Sequence, residues 1–74
     1  MDVETQPPRL SPRELDVLFL LAAGDRPARI ASLLGIKEVT VHLHIRSART
    51  KLGAATREAA VARAVNYGLI TVAN

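Results

Sequence analysis

Residues 36–53, IKEVTVHLHIRSARTKLG, concentrate the side chains of this chain that can donate hydrogen bonds or positive charge. Lys37, Thr40, His42, His44, Arg46, Ser47, Arg49 and Lys51 all fall within it, against one acid, Glu38. Such a set can hold an anion. It is poorly equipped to turn over a substrate, because no nucleophile and base can be paired and no glycine-rich phosphate loop is present. The carboxylates elsewhere sit at helix starts and on surface positions. His42 and His44 are two residues apart, so on a helix they point to different sides, whereas helical metal pairs need i, i+3 or i, i+4 spacing. The chain contains no cysteine, which removes disulfides and thiolate metal sites. The expectation is a binding protein with no catalytic residues, no cofactor and no metal.

Set on a helix at about 100° per residue, Val41, Ile45, Ala48 and Leu52 share one side, which reads as the core side. Opposite them lie Val39, His42, Leu43, Arg46 and Thr50. Thr40, His44, Ser47 and Lys51 occupy one shoulder and Arg49 the other. A dry back, a mixed apolar and hydrogen-bonding front and donor-rich shoulders suit the DNA major groove, where base edges are flanked by phosphates. Val39, His42, Leu43 and Arg46 are the expected base readers. Arg46 can bond guanine O6 and N7 together, and the two aliphatics can touch thymine methyls. Lys37, Thr40, His44, Ser47, Arg49 and Lys51 are the expected phosphate contacts. Each has a plainer reading: His42 and Arg46 as solvated surface, His44 as a structural hydrogen bond beneath the helix, Val39 and Leu43 as a surface covered by another protein.

These residues need a scaffold, and 74 residues allow one small domain near the lower limit of what folds without staples. Hydrophobic residues make up 49% of the chain but aromatics only 3%, so the core must be aliphatic. The net charge of +3 and isoelectric point of about 10.2 favour an anionic partner. No apolar run approaches the roughly 18 residues of a membrane span, and the N-terminus lacks a signal peptide's basic-then-apolar order. The expected location is the cytoplasm, without a membrane partner.

In chain order, residues 1–9 are polar and carry Pro7-Pro8, which reads as a disordered leader or the end of a linker. The domain is expected over 10–74. Ser11-Pro12-Arg13-Glu14 makes a capping box and starts helix 1, with Val17, Leu18, Leu21 and Ala22 inward and Gly24 closing it. Leu15 and Phe19 lie outside that stripe and read as a docking surface, or else as the edge of a wider core face. Pro27 opens a second helix, with Ile30, Ala31, Leu33 and Leu34 as its apolar face. Gly35 then supplies the tight turn of a helix-turn-helix before a third helix over 37–51. Thr56 caps a fourth helix with Ala60, Val61, Ala64 and Val65 inward; Leu69 and Ile70 should fold back onto the core.

The segments LSPRELDVL at 10–18, Gly24, Ile30-Ala31, Leu34-Gly35-Ile36, Thr40-Val41, His44, Lys51-Leu52-Gly53, Arg57, Ala60-Val61 and Gly68-Leu69-Ile70 resemble the DNA-binding domain of LuxR-type (GerE/NarL-like) transcriptional regulators. The resemblance spans residues 10–70 with spacing kept throughout. It implies an all-α, tetrahelical helix-turn-helix domain that binds double-stranded DNA, its third helix in the major groove. It also implies a two-fold dimer contact on the fourth helix, here through Ala59, Ala62, Arg63 and Asn66, whose plainer reading is exposed helix surface, and, except in free-standing examples, a sensor or receiver domain upstream. The chain departs from the family pattern at Lys37, where a capping Ser or Thr is usual, at Val39 and His42, where basic or polar residues are common, and at Arg29, which is commonly acidic. A protein-interaction module of the same fold, pairing with another regulator and blocking it, is the competing reading.

Overall fold

The computed structural model describes residues 7–72. Its regular structure is four helices, α1 (Pro12–Ala22), α2 (Pro27–Leu34), α3 (Glu38–Leu52) and α4 (Arg57–Asn66), with no strand among the described residues. Most of the leader expected over 1–9 lies outside the described residues; residues 7–11 precede the first helix, and Leu10 is buried.

Local chemistry starts and stops the helices within a residue of where the sequence indicates. At the head of α1 the Glu14 amide donates to Ser11 Oγ at 3.1 Å while the Ser11 amide donates to Glu14 Oε1 at 2.8 Å, so two otherwise orphaned donors are satisfied reciprocally. Pro12 occupies the first turn, where its missing N–H costs nothing. Between α2 and α3 the chain reverses at Gly35, which has φ +68°, a left-handed conformation that L side chains rarely adopt. The Ile36 amide then donates back to Ala31 O at 3.0 Å, sealing the end of α2. Two helices can therefore meet with only Gly35, Ile36 and Lys37 between them.

The core has two lobes. Val17 of α1 packs with Ile30 and Ala31 of α2 and with Val41 and Ile45 of α3. Leu18, the next residue of α1, packs instead with Ala48 and Leu52 of α3, Ala60 and Ala64 of α4, and the flanking Leu10 and Ile70. Ala48, Ala60 and Ala64 are completely buried, so α3 and α4 approach with little side chain between them. α3 thus spans both lobes, its first half on α2 and its second on α4. Full burial of Leu18 or Ile30 contributes about 1.5–3 kcal/mol each, which fixes α3 along its length.

Three expectations about faces need revision or sorting. Leu33, expected inward, is 50% exposed. Ile30, Ala31 and Leu34 define the inner face of α2, and at about 100° per residue Leu33 falls on the far side of Ile30 from the other two. Leu15 packs against the second lobe, so the core stripe of α1 is the wider one and Leu15 is no part of a free docking surface. Phe19 remains exposed. Helix α3 begins and ends one residue later than expected, with Lys37 as its N-cap. No helix among the described residues is long and apolar enough to cross a membrane.

Candidate nucleic-acid interface

With Val41, Ile45, Ala48 and Leu52 buried, the opposite side of α3 is open. Val39 and Leu43, one turn apart, are 61% and 58% exposed, beside exposed His42, Arg46 and Thr50. All four expected base readers therefore stand on one accessible face. Two of the polar groups around it are internally engaged. His42 Nε2 lies 3.4 Å from Glu38 Oε2, and the Thr50 hydroxyl donates to Arg46 O at 3.1 Å. Lys37 makes no side-chain capping bond, as its lack of an acceptor dictates, so the first amides of α3 receive none from it. Lys37 is exposed, and Thr40 and His44 are half-buried.

One shoulder of α3 is turned into the protein. Lys51 Nζ donates to Glu14 Oε1 at 2.9 Å, and Glu14, at 4% exposure, is a buried acid that also closes the α1 cap. Burial by itself disfavours the ionised carboxyl, but hydrogen bonds from the Ser47 hydroxyl, the Ser11 amide and Lys51, with the charge of Lys51, outweigh it. The Glu14 pKa is lowered from 4.5 to about 2. Lys51, expected as a phosphate contact, is therefore paired with Glu14 of α1, and half-buried Ser47, expected in the same role, lies beside that carboxylate. The reason is energetic: a carboxylate withdrawn from water must be paired, and these are the donors that packing brings to it.

The other shoulder meets α4. Arg49 Nη2 donates to Ala55 O at 2.6 Å, so this expected phosphate contact commits one nitrogen to bracing the α3–α4 turn, and its buried Nε has no protein partner. Beyond it an open groove is lined by His42, Arg46, Arg49 and Thr50 of α3 and by Arg57 of α4. Arg57 was not among the expected site residues. A signal was legible: a cation in the first turn of a helix, directly after the Thr56 cap, opposes the macrodipole and so calls for another reason.

On α4, Ala62, Arg63 and Asn66 are exposed and Ala59 is half-buried, leaving a face of mostly short side chains. Among the described residues no three His, Cys, Asp or Glu side chains are grouped to hold a metal ion.

The family model of GerE, bacterial regulatory proteins of the luxR family, matches residues 8–64. The chain is 47% identical over 62 residues to the HTH-type quorum sensing-dependent transcriptional regulator RpaR of Rhodopseudomonas palustris, covering 84% of this chain and 26% of RpaR. It spans about a quarter of the length of the curated relatives it matches. The solved structure of the transcription factor GerE superposes with a TM-score of 0.84 at 30% identity, over 86% of this chain and 96% of that one. The VqmA–ligand–DNA complex of Vibrio cholera gives a TM-score of 0.75 at 37% identity, over 81% of this chain and 26% of that one.

Proposed function

The chain belongs to the luxR family of bacterial regulatory proteins as a helix-turn-helix DNA-binding domain, and from that premise we propose that it reads double-stranded DNA as a homodimer, with α3 in the major groove. The observation that carries this reading is the division of α3. One side is locked into both lobes of the core, its two shoulders are tied to α1 and α4, and the free side presents Val39, His42, Leu43 and Arg46 together. A helix so braced can present side chains to base edges without rotating. Arg46 supplies bidentate bonds to guanine, His42 a further polar contact, and Val39 and Leu43 apolar contact with thymine methyls. Lys37, Thr40 and His44 contact the sugar-phosphate chain near the start of α3. The function is transcriptional regulation by occupancy of DNA in the cytoplasm, with no chemistry performed.

Two copies meet through the outer face of α4, at Ala59, Ala62, Arg63 and Asn66, where small side chains permit close approach. Two-fold symmetry then requires half-sites about 10 base pairs apart, centre to centre. Where such a domain ends a longer regulator, as in curated relatives about four times the length of this chain, a sensor or receiver domain governs when it engages DNA. The test is a gel shift on random duplex across a salt series. A steep fall of affinity with salt is expected, since phosphate contacts release counterions.

A second reading has its own observation. Leu33, Val39 and Leu43 are large, apolar and about half exposed or more on the helix-turn-helix unit, as on a protein-binding surface. Under that reading the domain pairs with another regulator and binds random duplex weakly at every salt concentration. Leu43→Ala separates the two: a thymine-reading Leu43 loses discrimination between thymine and uracil at one position, whereas a protein-docking Leu43 leaves DNA binding unchanged.

A further inference from the structure

The groove between the second half of α3 and the first turn of α4 gathers more positive charge than the fold uses. Arg46, Arg49 and Arg57 all line it. Their internal engagements are slight. Arg57 Nε lies 3.6 Å from Glu58 Oε2, an adjacent residue whose carboxylate side chain is 78% exposed, and an ion pair so solvated is weak. Arg49 spends one nitrogen on Ala55 O. Arg46 has no carboxylate within ion-pairing distance among the described residues. Three guanidinium groups around one concavity repel each other, and an anion held between them converts that repulsion into attraction.

The geometry points to a seat for a DNA backbone phosphate formed by Arg57 and Arg49, with Arg46 at its inner edge, so that the first turn of α4 belongs to the DNA interface. This rests on the DNA-reading function proposed above and adds to it a contact from outside the helix-turn-helix. Arg46 stands on the open face of α3 while Arg57 stands on the far wall of the groove. An anion between them therefore lies beside the reading face, where the strand bordering the major groove runs. Guanidinium suits the role, because its planar fork binds two phosphate oxygens at once. Arg49 is already held in place by Ala55, which reduces the ordering cost of binding. The opposite shoulder cannot serve equally, since Lys51 is paired with buried Glu14. The two flanks of α3 thus have different duties: one anchors the helix, the other grips the strand.

The test compares the parent chain with Arg57→Gln and Arg57→Lys, and with Arg13→Gln as a charge-matched control on α1. Binding to a random-sequence duplex is measured across a salt series, with folding of each variant checked by circular dichroism. Arg57→Gln is expected to weaken binding several-fold and to flatten the plot of log affinity against log salt by about one unit, with partial recovery in Arg57→Lys. Arg13→Gln should keep the parent slope. An unchanged slope in Arg57→Gln, with a parent that binds steeply, overturns the seat and leaves the DNA-reading function standing. A parent that shows no salt-dependent binding overturns both. Free phosphate is the other source of the same chemistry. If the arginine Nε–H resonances of Arg49 and Arg57 move with millimolar inorganic phosphate at constant ionic strength but not with duplex, the seat belongs to a free anion and the DNA assignment fails.

Discussion

At the scale of single residues, the consequential observation is that the donors of α3 are not equivalent. Arg46 is exposed on the open face, so Arg46→Ala is expected to lose about 1–3 kcal/mol of binding and to relax preference at one base pair of each half-site, read by competition with operator variants at fixed salt. Lys51 is bound to Glu14, so Lys51→Ala should act on stability and leave the salt slope of DNA binding near that of the parent. Lys51 is 41% exposed, and water can partly replace its charge, which limits the expected loss to about 1–2 kcal/mol in urea denaturation. Glu14 adds a pH signature. Its carboxyl is harder to protonate in the folded chain than in the unfolded one, so the stability it contributes is complete above pH 4.5 and is lost as pH falls from there through about 2. At about 1.4 kcal/mol for each tenfold in proton affinity, the loss amounts to about 3 kcal/mol. Glu14→Gln should be less stable near pH 7 and show a flatter acid limb in urea melts between pH 5 and 2; an acid limb as steep as the parent's would remove Glu14 as its source.

At the scale of elements, α3 is held along its sides and left open at its start. Three of its neighbours' features explain the hold: the α2 face of Ile30 and Ala31, the small-residue contact of Ala60 and Ala64, and the Glu14 anchor. Its N-terminus has only Lys37, whose side chain offers no acceptor to the first-turn amides, while the side chains of Ser11 and Thr56 cap α1 and α4. Lys37→Ser should therefore stabilise the domain by about 0.5–2 kcal/mol in urea denaturation. The same change should reduce affinity for duplex and lower the salt slope by about one unit if Lys37 contacts phosphate. A gain in stability with no change in slope would confine Lys37 to the cap position.

At the scale of the whole molecule, the four helices leave two surfaces of different character. The α3 face mixes exposed aliphatics with His42 and Arg46, and the outer α4 face has exposed Ala62, Arg63 and Asn66. If the second is a two-fold contact, Ala62→Glu places like charges across the axis and should leave a folded monomer by sedimentation, with binding to a two-half-site duplex reduced to that of a single half-site. A parent chain that sediments as a monomer even at millimolar concentration and on operator duplex would exclude the α4 dimer.

The features legible in the sequence are those decided by neighbours along the chain. Ser11 with Glu14, Pro12, Thr56 and the Gly35 turn are cap and turn chemistry, in which donors and acceptors lie within about five residues of each other. The core side of α3 was legible for a related reason, since helical periodicity alone puts Val41, Ile45, Ala48 and Leu52 in line. Periodicity does not say what stands beside a helix. The Lys51 to Glu14 pair joins residues 37 apart, and it exists because α1 crosses the second half of α3 at the height of its own cap. The groove formed with Arg57, the turn braced by Arg49 and the outward side of Leu33 likewise follow from how helices are rotated and stacked. The pattern of α3 marked which side chains could donate. Only packing decided which donors a buried carboxylate would claim and which remained free, because desolvating an acid costs more than leaving a surface cation in water.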